Sequence, residues 1–175
     1  PLEIAPLPKV EGLPAARPPM THHAGRVVVD DIYFRLGRIG QWGDFVADPE
    51  ASDGYAAKLY NSHYEWCLTW PIRPELFEPG ARYTARARLK VEHQGREGEA
   101  FWAGVYDTAR KKGWGEARAT TAKVKPGYQW YDLATWTPEG QQYVWVGPGV
   151  FDLKGGAKSA IEALYVDQFE FVKVP

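Results

Sequence analysis

Residues 82–92 read Arg-Tyr-Thr-Ala-Arg-Ala-Arg-Leu-Lys-Val-Glu, and this stretch decides the fold class. Its apolar side chains alternate one by one with polar or charged side chains. That period of two is typical of a β-strand with one buried face and one face in water. Similar runs occur along the rest of the chain, at 27–34, 55–60, 63–72, 99–106, 118–124, 128–137, 141–147 and 164–174.

Turn-forming residues separate these runs. They include the pairs at 53–54, 79–80, 112–113, 126–127, 139–140, 148–149 and 155–156. No segment shows a convincing helical repeat. About nine short strands with turns at intervals of roughly ten residues are typical of an antiparallel sandwich or barrel. We therefore predict an all-β fold, an antiparallel jelly-roll β-sandwich.

The first 20 residues differ in composition from the rest. They contain six prolines and no sustained periodicity, so they favour extended polyproline geometry and cannot form a sheet ladder. We interpret residues 1–20 as a proline-rich linker or arm and residues 21–175 as a single β-sandwich domain. The chain begins with proline and its only methionine is Met20, which suggests a piece of a larger multidomain protein.

Charge and hydropathy exclude several classes of function. The chain has 21 basic and 22 acidic side chains and a formal charge of −1, so no global field draws it to nucleic acid or to an anionic membrane. No apolar run approaches the roughly 20 residues of a membrane-spanning helix. The single cysteine, Cys67, cannot form an internal disulfide.

Aromatic residues point to recognition. Eight Trp, ten Tyr and seven Phe exceed what a core of this size requires, and surplus aromatic rings at a surface usually mark a binding site. A glycan is bound by stacking an exposed ring on its C–H face while polar side chains take its hydroxyl groups.

One candidate position for such a ring is the stretch 107–116, which we expect to be a loop. Trp114 lies between two glycines there, with Arg110 nearby and no apolar neighbour, so we expect an exposed ring. Trp42, Tyr60 and Asn61 place aromatic and hydrogen-bonding groups together at strand ends. The alternative is that Trp42 or Trp114 folds back as a lid on the core, because tryptophan is highly buried on average.

The second candidate position is a sheet face. If the valines of the runs 99–106 and 141–147 point into the core, Trp102 and Trp145 line an outer face, together with Tyr106 and Tyr143. The alternative, with these aromatic rings in the core, stays open. The run that contains Trp66 is interpreted as core.

Three stretches resemble the galactose-binding-like jelly rolls that serve as carbohydrate-binding modules on polysaccharide-degrading enzymes. They are Asp-Pro-Glu-Ala-Ser-Asp-Gly-Tyr-Ala-Ala-Lys-Leu at 48–59, Phe-Glu-Pro-Gly-Ala-Arg-Tyr-Thr-Ala-Arg-Ala-Arg at 77–88, and Ala-Leu-Tyr-Val-Asp-Gln-Phe-Glu-Phe-Val at 163–172. The resemblance implies a secreted, non-catalytic accessory domain that binds a polysaccharide or oligosaccharide and tethers its parent enzyme or surface protein to it.

The resemblance also implies a structural calcium ion. A turn acid and the aspartate of the closing strand would hold it, which gives Asp48, Asp53 and Asp167 as candidate ligands. The alternative is that the turn aspartates cap their own backbone.

Catalytic motifs are incomplete. Jelly-roll hydrolases of the laminarinase type use a Glu-x-Asp-x-x-Glu strand, and here Asp167 and Glu170 match while Tyr165 replaces the first Glu. His63 beside Tyr64 leaves a polysaccharide lyase as a minor alternative. The sequence has no Cys/His zinc spacing, phosphate loop or nucleophile elbow. We predict that the chain is not an enzyme; a structural domain that packs on its parent protein is the other alternative.

Overall fold

The structure is a computed structural model that describes residues 21–23, 25–63, 66–149 and 159–175. Residues 1–20, expected to be a linker or arm, lie outside the described residues. In these described ranges, two short 3-10 turns, Asp31–Tyr33 and Pro74–Leu76, accompany the β-strands. The strands are β1 Thr21–His23, β2 Arg26–Asp30, β3 Arg35–Leu36, β4 Gly43–Ala47, β5 Tyr55–Tyr60, β6 Leu68–Pro71, β7 Tyr83–Glu92, β8 Glu99–Asp107, β9 Lys112–Thr120, β10 Gln129–Trp136, β11 Gln142–Pro148 and β12 Ala163–Lys173.

These strands form two antiparallel sheets. Sheet A is built around β12, with β7 and then β10 on one side. On the other side of β12, residues 163–166 pair with β5 and residues 168–172 pair with β2. β4 extends the sheet from β5, and β1 extends it from β2. Sheet B has the order β3-β6-β11-β8-β9. The predicted all-β antiparallel sandwich is confirmed.

The core lies between the two sheets. The alternation in β7 is realised as predicted, because its buried positions are Tyr83, Ala85, Ala87, Leu89 and Val91. From β12, Phe169 packs on Phe34 at 4.5 Å between ring centroids, and Phe171 packs on Trp70 at 5.3 Å. Burying each such ring stabilises the folded state by roughly 1.5–3 kcal/mol.

The predicted loop at 107–116 is wrong over its second half, because β9 begins at Lys112. Gly115, which the sequence pattern predicted to be a loop residue, lies inside this strand. A Cβ there would lie 2.7 Å from the Leu133 carbonyl oxygen and 2.9 Å from Ala134 Cβ. Glycine therefore lets β9 pack closely on β10 of the other sheet. No helix of the described residues is long and apolar enough to cross a membrane.

Candidate functional site

Sheet B carries a group of aromatic side chains on the surface that faces away from the core. We call it the aromatic face, defined as Trp66, Trp102, Tyr106, Tyr143 and Trp145. The strand period positions four of these rings, since the residues that alternate with them are buried in the core: Phe101, Ala103, Val105, Val144 and Val146. Of the two arrangements that the sequence left open, the structure has the one in which Trp102 and Trp145 point away from the core.

Strand register brings the rings into contact. Tyr143 of β11 lies opposite Tyr106 of β8, with ring centroids 5.7 Å apart. Trp145 lies opposite Gly104 and meets Trp102 edge-on, at 5.5 Å and an interplanar angle of 73°. Burial raises the pKa of the Tyr143 phenol, as does the neighbouring Tyr106. The Tyr143 hydroxyl is therefore a neutral hydrogen-bond donor at physiological pH.

Trp145 is the supporting ring of the aromatic face. Only 7% of its surface is exposed, because its indole lies close to Gly104 and against its neighbouring rings. Too little of this ring is accessible for a ligand to stack on it. Trp145 instead fixes the positions of Trp66 and Trp102, which are more accessible.

Trp66 is the most accessible ring of the face, with 49% of its surface exposed. Its centroid lies 6.1 Å from Tyr106, 6.2 Å from Tyr143 and 6.3 Å from Trp145. The interpretation of Trp66 as core is wrong. β6 begins only at Leu68, and Cys67 takes the buried position before it, so the alternation assumed for the run 63–72 does not extend to Trp66.

Polar groups surround these rings. The Arg118 guanidinium lies 4.6 Å from the ring centroid of Trp102 and is bonded to Glu99 at 2.9 Å. Residues that lie opposite one another on adjacent strands form a row across sheet B. Exposed Arg35 lies at one end of this row and exposed Glu116 at the other. The row runs Arg35, Thr69, Trp145, Gly104, Glu116. The sequence pattern missed these polar residues, because their position beside the rings depends on pairing between distant strands.

Trp114 differs from its expected state. Its ring is half-buried and packs against the core, so the expectation of an exposed ring is wrong. Its Nε1–H donates to Asp107 Oδ2 at 3.4 Å, and Lys112 Nζ lies 4.3 Å from the ring centroid. Arg110 is also engaged, since it binds Asp107 and Glu139 at 2.8 Å each.

Asp107 organises the end of the β8–β9 hairpin. It is fully buried and accepts hydrogen bonds from the Arg110 backbone and guanidinium, from Gln142 at 3.1 Å and from Trp114. Burial raises the pKa of this carboxyl group, but the bonds from Arg110, Gln142 and Trp114 outweigh it and hold the pKa well below its ordinary value. Gln142 in turn accepts from Trp136 Nε1–H at 2.7 Å. The network ties the hairpin to the core.

Trp42, Tyr60 and Asn61 belong to sheet A and the turns beside it. Trp42 stacks on His63 with centroids 3.8 Å apart and an angle of 6°, and it packs against the core. Its carbonyl oxygen accepts from the Tyr60 backbone N–H, while Asn61 Nδ2 donates to the Ile161 carbonyl oxygen. The fold therefore places these candidates with the other sheet, while Trp102 and Trp145 share the aromatic face.

The three candidate calcium ligands lie at or against the turn at 48–54, since Ser52 of that turn binds Asp167. Among the described residues, no group of three or more His, Cys, Asp or Glu side chains is placed to hold a metal ion. Asp48 is bound by Lys90 and the Tyr128 hydroxyl, and Asp167 is bound by Arg88. Asp53 accepts from the Tyr55 backbone N–H at 3.0 Å, as expected of a turn aspartate that caps its own backbone.

Neither a protein-family model nor a curated protein matches this chain. Solved structures similar to it include the CBM22-1 xylan-binding domain from Paenibacillus barcinonensis Xyn10C, at 10% identity and a TM-score of 0.46, over 81% of this chain and 85% of that one. The C-terminal family 22 carbohydrate binding module of Clostridium thermocellum Xyn10B is 16% identical, with a TM-score of 0.46, over 82% and 91%.

A larger protein is also similar over part of its length. It is an arabinose-bound MgGH51 α-L-arabinofuranosidase, 11% identical with a TM-score of 0.47, matched over 86% of this chain and 23% of that chain. This chain thus spans about a quarter of that protein's length. Carbohydrate-binding modules are among the solved structures to which this chain is similar.

Proposed function

We propose that this chain is a non-catalytic carbohydrate-binding module whose aromatic face holds a polysaccharide or oligosaccharide. The observation that carries the proposal is the aromatic face itself: mutually supported rings on the outside of sheet B, with Trp66 49% exposed. Contiguous exposed apolar surface on a soluble protein usually marks an interaction site. Its rigid support favours binding without rearrangement, which lowers the entropic cost.

The chemistry of the face suits a sugar. Trp66 offers a ring face for the C–H surface of a pyranose, while the Trp102 ring is covered by the Arg118 guanidinium. The Tyr143 hydroxyl can donate to a sugar hydroxyl, Glu116 can accept from one, and Arg118 is placed beside the Trp102 ring to donate. This combination of apolar floor and polar rim is typical of ligand sites that recognise a partly apolar, partly hydroxylated molecule.

The charge balance of the face favours a neutral glycan. Exposed Arg35 and Glu116 stand at opposite edges of the sheet and make no ion pair with the described residues, while Arg118 is neutralised by Glu99. A polyanionic chain would need an excess of cations along its path. One unpaired cation and one unpaired anion provide no such excess.

The carboxylate positions support binding without hydrolysis. A glycosidase needs two carboxyl groups flanking one bond. Asp167 and Glu170, which partly match the laminarinase-type strand, both belong to sheet A, where Arg88 binds the first and Arg26 binds the second. For the lyase alternative, His63 stacks on Trp42, and Tyr64 lies outside the described residues.

In this proposal the domain acts outside the cell, as part of a larger protein. Holding a parent enzyme or surface protein on a polysaccharide raises the effective concentration of the parent protein's substrate. Neither nucleic acid nor a membrane is a partner in this proposal, which agrees with the net charge of −1.

A glycan-array screen with the full chain, followed by titration of the best-binding oligosaccharide, tests the proposal. We expect Trp66→Ala to weaken binding by about 10-fold or more, since an aromatic hot spot contributes roughly 2 kcal/mol. Trp130→Ala is the matched control, because Trp130 is a half-buried tryptophan on the outer face of sheet A, beside Arg86. It should leave binding unchanged.

Two outcomes contradict the proposal. Absence of binding to every glycan, with the chain folded, would favour a structural domain that packs its aromatic face on the parent protein. Release of shortened sugar or an unsaturated product from a bound glycan would indicate an enzyme.

A further inference from the structure

Among the described residues, three buried carboxylates on the outer side of sheet A meet cations of β7: Glu170 meets Arg86, Asp167 meets Arg88 and Asp48 meets Lys90. Two of them, Asp167 and Asp48, hold the turn at 48–54. The first is Asp167, which lies at an irregularity of the β12–β7 pairing and is fully buried. It is bound by the Arg88 guanidinium. Ser52 donates to it from its hydroxyl at 2.8 Å and from its backbone N–H at 3.2 Å. Asp167 thereby fastens the turn at 48–54 to the centre of the sheet.

The second carboxylate is Asp48, at the start of that turn. Lys90 Nζ contacts Asp48 Oδ2 and lies 3.0 Å from Glu50 Oε2. The Tyr128 hydroxyl donates to Asp48 at 2.8 Å, and the Glu50 backbone N–H donates to it at 3.1 Å. The oxygens of Asp48 are therefore occupied by donors from the turn, from β7 and from Tyr128, the residue before β10.

Aromatic rings hold the two cations in place. Arg88 lies 4.6 Å from the centroid of Tyr128, and Lys90 lies 5.0 Å from Tyr128 and 4.6 Å from Tyr165. Because Arg88 and Lys90 are two residues apart in β7, both project from the same face of the sheet. Their positions are set by the strand and do not depend on flexible chain segments.

These residues do not fit a calcium ion. Calcium takes six to eight oxygen ligands, whereas the Asp48 and Asp167 carboxylates already accept from cations and hydroxyl groups. Among the described residues, Asp53 Oδ2 is a buried oxygen without a hydrogen-bond partner. One such oxygen does not make a calcium site.

We propose that Lys90 and Arg88 permanently supply the positive charge that a calcium ion would supply at the 48–54 turn, so that this domain folds and stays folded without metal. The inference is independent of the proposed sugar binding. It concerns the opposite sheet and is tested by stability alone.

Burial raises the pKa of Asp48, but the hydrogen bonds from Lys90 and Tyr128 outweigh it and leave the pKa below its ordinary value. Burial lowers the pKa of Lys90, but the bonds to Asp48 and Glu50 outweigh it and raise the pKa overall. Both groups are therefore charged over the neutral range. For Asp167, burial prevails over Arg88 and Ser52, and the pKa is raised.

The first test measures the melting temperature of the full chain in excess EDTA and in excess calcium chloride. A metal bound only by the folded state would raise the melting temperature by mass action. We expect the same melting temperature in both solutions. A higher value in calcium that EDTA reverses would overturn the proposal.

The second test removes the internal cation. Lys90→Met should lower the melting temperature by roughly 5–10 °C, because it leaves Asp48 buried without its counter-charge. Lys58→Met is the matched control: Lys58 lies on β5, with Nζ 5.5 Å from the Tyr165 ring, and pairs with no carboxylate of the described residues. Lys58→Met should lower the melting temperature by about 2 °C or less.

A double variant separates the ion pair from simple packing loss. Asp48→Asn combined with Lys90→Met removes both charges and should regain a measurable part of the stability lost by Lys90→Met. Equal losses for Lys90→Met and Lys58→Met, or a double variant no more stable than Lys90→Met, would overturn the proposal.

Discussion

The indole of Trp145 lies against the backbone of Gly104, and no side chain fits between them. A Cβ on Gly104 would stand 3.0 Å from Trp145 Cζ2 and 2.6 Å from the Gly115 carbonyl oxygen. Trp145 can therefore take its position only because residue 104, on the neighbouring strand, is glycine and has no side chain.

Gly104→Ala should consequently destabilise the fold and displace Trp145. Overpacking of this kind costs about 1–3 kcal/mol, measured as the free energy of unfolding in urea, and sugar affinity should fall with it. Gly113→Ala in β9 is the control, because a Cβ there meets nothing closer than Val105 O at 3.9 Å. Equal stability of the two variants would show that the Trp145 contact does not require glycine.

Arg118→Ala should weaken sugar binding while leaving stability nearly unchanged. Arg118 is exposed, and its ion pair with Glu99 contributes little at a surface. Its guanidinium is nevertheless placed beside the Trp102 ring, where a bound sugar would present hydroxyl groups. We expect an affinity loss of about 5- to 20-fold by isothermal titration calorimetry, equivalent to roughly 1–2 kcal/mol. Unchanged affinity would place the ligand away from Trp102.

Trp114→Ala should act on stability and leave sugar binding intact. The ring packs against the core and donates to Asp107, so its truncation creates a cavity and removes one donor from a buried carboxylate. A loss of about 2–4 kcal/mol in chemical denaturation is expected. If the variant instead stays stable and loses sugar affinity, the binding site lies at the β8–β9 hairpin.

Stability should fall on acidification, and Asp107 should contribute to the loss. Its pKa in the folded protein lies below the ordinary 3.8. The resulting stabilisation is therefore full above the unfolded pKa and is lost as the pH falls from about 4 towards the folded value. Asp107→Asn should be less stable than the unchanged chain at pH 7, and the gap should narrow at pH 3. A constant gap across this range would mean that ionisation of Asp107 does not stabilise the fold.

The sequence predicted those features that depend on local periodicity. β7 was predictable because Arg82 to Glu92 alternate without interruption. For Trp102 and Trp145 the period predicted that the rings lie opposite Phe101, Ala103, Val144 and Val146, but it left open which of the two sides is the core. In each case the alternation of side-chain directions follows from the period of two.

Features that depend on contacts between distant strands were not predictable. Trp66 lies on the aromatic face because of rings at 106, 143 and 145, which are 40 or more positions away along the chain. Trp114 resembled a loop residue because of its glycines, yet Gly115 serves close packing on β10. The residues next to a glycine in the sequence do not show whether it forms a loop or allows two strands to pack closely.

β12 is the last of the described strands in chain order, and it pairs with β2, β5 and β7. During synthesis β2, β5 and β7 emerge from the ribosome before β12. They cannot pair with β12 until residues 163–173 have been made. Sheet A therefore cannot close while the domain is still being translated. The nascent chain passes through a stage in which three strand edges are open to pairing with other molecules. Premature termination before Ala163 would leave the chain at that stage and expose it to aggregation and degradation.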